Sequence, residues 1–207
     1  MKPLSSLEIP KKILLVAAVK YASKSKMQSA QEKGVKVFGW STLQHLRENY
    51  EHFKNMTHHF IGHIQRNKVK QLLAYPIELI HSVDSAALLK KINLTAKELG
   101  KKQKVLLQIL TDEEKEHGFS LDEVRKILSE KKNFSNVIFE GLMTIPSPKS
   151  NPRTIYRNFR MKRDKLEKEC GILLPHLSMG MSDDYKIAIE EGATMVRLGS
   201  ILFEERK

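Results

Sequence analysis

The chain has 207 residues, 41% hydrophobic and 29% charged, enough for a sizeable core in one domain or two small ones. No apolar run reaches the roughly 18 residues that cross a bilayer, so a membrane-spanning helix is not expected. The formal charge of +12 admits nucleic acid, an anionic surface or an anionic small ligand. The basic residues, however, are spread along the whole chain, with no basic arm, Cys/His finger or ribonucleoprotein pattern. Solvated helix faces are the simpler source of the charge, and nucleic acid is disfavoured.

The chain opens with a short lead, residues 1–12, in which two prolines leave no room for a full helix. Lys11 and Lys12 precede an apolar run as in a secretory signal, but the run stops at Lys20 without a small-residue cleavage site. No leader is expected, and the single cysteine, Cys170, suits a reducing cytoplasm.

From Ile13 onward short apolar runs recur: "ILLVAAV", "VKVFGW", "HHFIGHI", "ELIHSVD", "VLLQIL", "NVIFEGLMTI", "LLPHLSM" and "TMVRLG". Unbroken runs of this length suit strands buried on both faces. Amphipathic stretches lie between most of them, such as "SAALLKKINLTAKELG" and "IYRNFRMKRDKLEKECG". Gly34, Gly100, Gly171 and Gly192 stand where helices would end, and Ser120 with Glu123 reads as a capping box. "PSPKSNPR", 146–153, reads as a loop. Eight strands alternating with helices predict a single α/β domain, a (β/α)8 TIM barrel. An open doubly wound sheet is the alternative, but the first strand is not followed by a Gly-rich loop.

Barrel chemistry sits at the C-terminal ends of the strands. Those tips carry Lys20, then His63, Gln65, Asn67 and Lys68, then His81, Ser82 and Asp84, and finally "LSMGMSDD" and "RLGS". Ser178, Gly180 and Ser182, and then Gly199 and Ser200, precede helices in the two loops where barrels commonly hold a phosphate. At a dry mouth, burial together with the cationic Arg197 would favour a neutral, nucleophilic Lys20 amine. An aldehyde that also carries a phosphate, pyridoxal 5′-phosphate (PLP), fits both features. His58 and His59 have no Cys or carboxylate at ligand spacing, so no metal is expected.

The segments "LLVAAVK", "HFIGHIQRNK", "IHSVDS", "VLLQI", "GLMTIP", "LSMGMSDD" and "EGATMVRLGSILF" resemble, in order and over nearly the whole chain, the pyridoxal-phosphate homeostasis proteins (YggS/PROSC). The resemblance implies a barrel over 1–207 similar to the N-terminal domain of alanine racemase. It implies PLP as a Schiff base on Lys20 and phosphate held by Ser178, Gly199 and Ser200, with Met179 in the same loop. Arg197 would face the pyridine nitrogen, Met143 would lie beside the cofactor, and Asn67, His81 and Ser82 would stand at the mouth.

Two departures are visible. The family reads Phe-Gly-Glu-Asn after the second strand, whereas this chain reads "FGWS", with Ser41 in the place of the Asn and Trp40 in that of the Glu. Loss of one hydrogen bond there would cost about 0.5–1.5 kcal/mol of binding, and Trp40 would shield or narrow the site. The family's helix before the first strand is also missing, so the barrel floor is expected to be less covered.

The resemblance implies a monomeric, cytoplasmic carrier in PLP (vitamin B6) homeostasis without robust turnover, with PLP-dependent apoenzymes as partners. A slow PLP-dependent amino-acid racemase is the alternative. It needs a second base. In alanine racemase that base is a tyrosine of a second domain, and Tyr21, Tyr50, Tyr75, Tyr156 and Tyr185 offer no clear substitute here. A basic nucleic-acid-binding barrel stands third.

Overall fold

The small and branched apolar residues Leu14–Ala18 form strand β1, after which helix and strand alternate. The computed structural model describes residues 4–110, 117–147 and 149–203. The remaining strands are β2 (Val37–Trp40), β3 (Thr57–Phe60), β4 (Ile77–Val83), β5 (Gln103–Gln108), β6 (Val137–Met143), β7 (His176–Ser178) and β8 (Met195–Leu198). The helices are α1 (Lys24–Glu32), α2 (Leu43–Asn49), α3 (Val69–Leu73), α4 (Ala86–Glu98), α5 (Leu121–Ser129), α6 (Pro152–Cys170), α7 (Tyr185–Glu190) and α8 (Ser200–Phe203). All strand pairs are parallel, and β1 closes on β8, with Leu14 opposite Met195 and Val16 opposite Arg197. This closed (β/α)8 barrel is the expected fold, and closure excludes the open sheet. Among the described residues no helix is long and apolar enough to cross a membrane.

The local signals act where the sequence put them. Gly34, Gly100, Gly171 and Gly192 follow α1, α4, α6 and α7 with positive φ. Ser120 and Glu123 form the reciprocal capping box of α5. "PSPKSNPR" is only partly loop, because Asn151 caps the Thr154 amide at 3.2 Å and Pro152 opens α6. Strand β7 is shorter than its apolar run, since Pro175 has no amide for the ladder. The lead contains a 3-10 turn, Leu4–Leu7, whose Leu7 carbonyl accepts from the Tyr185 hydroxyl of α7 at 3.1 Å.

Side chains alternate between the barrel interior and the helix layer. On β2, Gly39 faces inward, where an added Cβ would meet Val16 Cγ1 at 2.7 Å. Phe38 and Trp40 therefore face outward and are fully buried beneath α2. The Trp40 ring lies 5.5 Å from His45 of α2, and its Nε1 donates to His58 Nδ1 at 3.0 Å. The expectation that Trp40 would shield or narrow the mouth is thus corrected: the period of two turns it to the opposite face.

A polar row runs through the interior. Arg197 Nη1 donates to Ser178 Oγ at 2.6 Å, and Ser178 Oγ lies 2.9 Å from His81 Nδ1. His81 Nε2 lies 2.9 Å from His59 Nδ1. Arginine only donates, so the Ser178 hydroxyl passes its hydrogen to His81, and His81 passes its own to His59. His59 then keeps its proton on Nε2. It lines a hollow of about 350 Å³ on the barrel floor with Lys36, Glu78, Lys104, Glu140 and His176. His58 and His59 face opposite sides of the sheet and cannot share a ligand.

Two outcomes are expected. Burial pushes His59 down to about 4, against the opposing charge of Glu78, and holds His81 well below the ordinary histidine value. Both stay neutral in the fold where unfolded chains protonate, near pH 6.5. Their folded values are depressed, so stability is complete above about pH 6.5 and falls as pH drops toward about 4. The His59 shift alone, from 6.5 to about 4, corresponds to roughly 3 kcal/mol. Urea unfolding near pH 7 and about pH 4.5 should show a loss of that order, and His59→Gln should reduce it. Trp40→Ala should cost about 3–5 kcal/mol in the same assay and leave ligand affinity at the mouth unchanged.

Candidate functional site

At the C-terminal end of the strands lies a hollow of about 520 Å³. Ala18 and Lys20 enter it from the end of β1, Ser41 from the end of β2 and Ile61 from the end of β3. Ile145 follows β6, Met181, Ser182 and Asp183 follow β7, and Arg197, Gly199 and Ser200 belong to β8 and its exit. Among the described residues of the lining, Lys20, Lys26 and Arg197 stand with one carboxylate, Asp183, so the lining favours an anionic ligand. A larger hollow of about 860 Å³ shares Ser41 but runs out between α2 and α3, away from Lys20 and Arg197. The smaller one carries the convergent polar groups and is the stronger candidate.

Lys20 is exposed, which corrects the expectation of a desolvated amine. The strand ends at Ala18, Val19 turns into the core, and Lys20 falls in the following turn, closed by Ala22 N–H to Val19 C=O at 3.0 Å. Its Nζ sits 4.8 Å from the centroid of the Tyr21 ring. Arg197, in contrast, is buried. Its Nη2 donates to the Thr144 carbonyl at 2.9 Å, and burial pushes it down to about 10 while Tyr156 and Asp184 oppose the shift, so it stays cationic at neutral pH.

The Gly-Ser turn gathers donors. The Gly199 and Ile201 amides both point to Ser182 Oγ, at 3.4 and 3.2 Å. Gly199 is close to β1, since an added Cβ would lie 3.2 Å from the Ala18 carbonyl oxygen. The loop that brings Ser182 here is fixed by Asp184, which accepts from the Met181 amide at 2.7 Å and from the Tyr156 hydroxyl at 2.7 Å. Two convergent amides, a hydroxyl and a surplus of cations form a donor set that suits a phosphate ester.

Of the residues singled out in the sequence, the structure brings Lys20, Ser41, Arg197, Gly199 and Ser200 to this hollow, together with Ser182. It does not bring the others. Ser178 is fully buried one layer below, engaged by Arg197 and His81, so its hydroxyl supports the arginine. His81 belongs to the same interior row. The Ser82 hydroxyl donates to the Gly62 carbonyl and holds the loop after β3 against the barrel. At Gly62 a Cβ would lie 1.9 Å from the Ser41 carbonyl oxygen, so only glycine lets that loop pass. Met143 packs in the interior with Leu79, Leu106 and Met195, and Met179 packs outward in the main core. Asn67 is exposed and lines a surface hollow beside α4. Ser182 was legible from its own loop, although the family motif pointed to Ser178. Lys26, Ile61 and Ile145 carried no signal, because a loop residue's facing depends on the path of the loop.

The family model for the alanine racemase N-terminal domain matches residues 11–207. The pyridoxal phosphate homeostasis protein of Aquifex aeolicus is 41% identical over 180 residues, covering 84% of this chain and 78% of that protein. The one from Synechocystis is 33% identical over 205 residues, covering 96% and 94%. Among solved structures, PipY of Synechococcus elongatus with PLP bound superposes with a TM-score of 0.90 at 28% identity, covering 97% of this chain and 98% of that one. Alanine racemase of Clostridium difficile shares the fold, with a TM-score of 0.77 at 21% identity, covering 96% of this chain and 53% of that one. With the family model matched over residues 11–207 and relatives 41% and 33% identical over most of their own length, the chain belongs to the family of pyridoxal phosphate homeostasis proteins.

Proposed function

We propose that this protein binds PLP at the mouth hollow as a Schiff base on Lys20 and acts in PLP homeostasis as a carrier rather than as a turnover enzyme. The observation that carries the reading is the pairing, in one hollow of about 520 Å³, of a primary amine with a convergent set of anion donors. A structure of a relative, PipY, was solved with PLP bound, and the named relatives are PLP homeostasis proteins. PLP supplies an aldehyde that condenses with an amine, with loss of water, and a phosphate that needs donors.

In this reading Lys20 is the covalent anchor and its exposure keeps it accessible to an incoming aldehyde. The Gly199 and Ile201 amides and the Ser182 and Ser200 hydroxyls receive the phosphate. Arg197 is held rigidly by Ser178 and Thr144 and presents only donors to whatever it faces. A ring nitrogen opposite it would have to accept, and so remain unprotonated, which weakens the ring as an electron sink. That favours holding over turnover. Tyr21, next to Lys20, is 85% exposed and is poorly placed as a positioned base. A reducing cytoplasm fits the lone, half-buried Cys170.

The test is the visible spectrum of protein mixed with PLP, before and after borohydride. Wild type should show an imine band that borohydride abolishes, with PLP fixed to the protein, and Lys20→Ala should show neither. A band that persists in Lys20→Ala would move the anchor elsewhere. Amino-acid turnover that disappears with Lys20 would replace the carrier reading by an enzymatic one. Ser41→Asn should tighten PLP by about 2- to 13-fold, the equivalent of one hydrogen bond of about 0.5–1.5 kcal/mol, as read from titration of the same band.

A further inference from the structure

Outside the PLP hollow, the loops after β3, β4 and β5 bring three ligating side chains together at the barrel rim. His63 Nδ1 lies 3.0 Å from Asp84 Oδ2. The His117 ring stacks on that of His63, with centroids 4.7 Å apart and planes 25° apart. One donor atom from each of the three residues lies within 4.8 Å of the other two. They border a hollow of about 440 Å³ with Gln65 and Arg66.

The backbone beneath each residue is fixed. His63 follows Gly62, whose carbonyl is held by Ser82 and whose Cα passes against the Ser41 carbonyl. Asp84 precedes Ser85, the N-cap of α4, and its side chain is only 7% exposed. The His117 carbonyl accepts from Gln108 Nε2 at 3.0 Å, and the Phe119 amide donates to the Gln108 carbonyl at 2.8 Å. The side chain of His63 is 53% exposed, so an ion has a route in.

We infer that His63, Asp84 and His117 form a binding site for a divalent cation of the zinc type, independent of the PLP site. Two imidazoles and one carboxylate suit Zn²⁺, Co²⁺ or Ni²⁺, whereas Mg²⁺ and Ca²⁺ require an all-oxygen shell. Bonds of about 2.0–2.2 Å in a tetrahedron place ligand atoms about 3.3 Å apart. One pair already stands at 3.0 Å and all lie within 4.8 Å, so modest side-chain rotation closes the set. Three protein ligands leave a fourth position for water, as in open zinc sites. A bound ion ties the β3, β4 and β5 loops together. His63 also lines the larger hollow between α2 and α3, so a bound ion would stiffen one wall of that hollow.

The probe is Co²⁺ added to untagged full-length protein free of PLP. One equivalent should bind with the visible d–d bands of a tetrahedral ion, and Zn²⁺ should abolish them. Asp84→Asn and the double variant His63→Ala/His117→Ala should lose the bands, with circular dichroism confirming that they fold. Lys20→Ala should keep them, which separates this site from the PLP reading. No saturable binding at one equivalent in wild type, or bands that survive in the double variant, would overturn the inference.

Discussion

The β1–β8 ladder sets Leu14 against Met195 and Val16 against Arg197. Through that pairing the first strand, which ends two residues before Lys20, meets the strand that carries the buried guanidinium. Neither half of the hollow exists without it. Gly199 approaches the Ala18 carbonyl because the ladder holds the two strands at sheet spacing, and the Gly199 and Ile201 amides meet Ser182 through the neighbouring β7–β8 pairing.

Closure also places charge and hydrogen-bonding groups where water cannot reach them. A buried guanidinium left unpaired would be costly, and this one is answered by the Ser178 hydroxyl and the Thr144 carbonyl. Ser178 in turn engages His81, and His81 engages His59. The row fixes the register of four strands at once, since a slip of one residue would turn a polar member of the row into the apolar helix layer. It also holds Ser178 beneath the mouth, where its hydroxyl engages the arginine, while Ser182, four positions on, lines the hollow.

The "FGWS" departure looks different in space from what it does in the sequence. Ser41 lies at the junction of two hollows and lines both. Trp40 has no contact with either and instead fills the space between β2 and α2, donating to His58. Two adjacent positions therefore face different surroundings, Ser41 the hollows and Trp40 the core.

The chain's own residues determined the number and order of the strands, the ends of several helices and the Gly/Ser loops after β7 and β8. A parallel strand buried on both faces must be an unbroken apolar run, and caps and turns depend on residues a few positions apart, so both leave local traces. Helices α2 and α3 were too short to show a period. What only the tertiary structure decided was facing. Lys20 is exposed, Ser178 and Met143 are inside, Met179 and Trp40 are turned to the helix layer, and Asn67 lies beyond the mouth. His63, Asp84 and His117 come from three loops with no shared spacing. A side chain's direction follows from where its strand starts in the ladder and from the path its loop takes, and both are set by pairings with residues far along the chain.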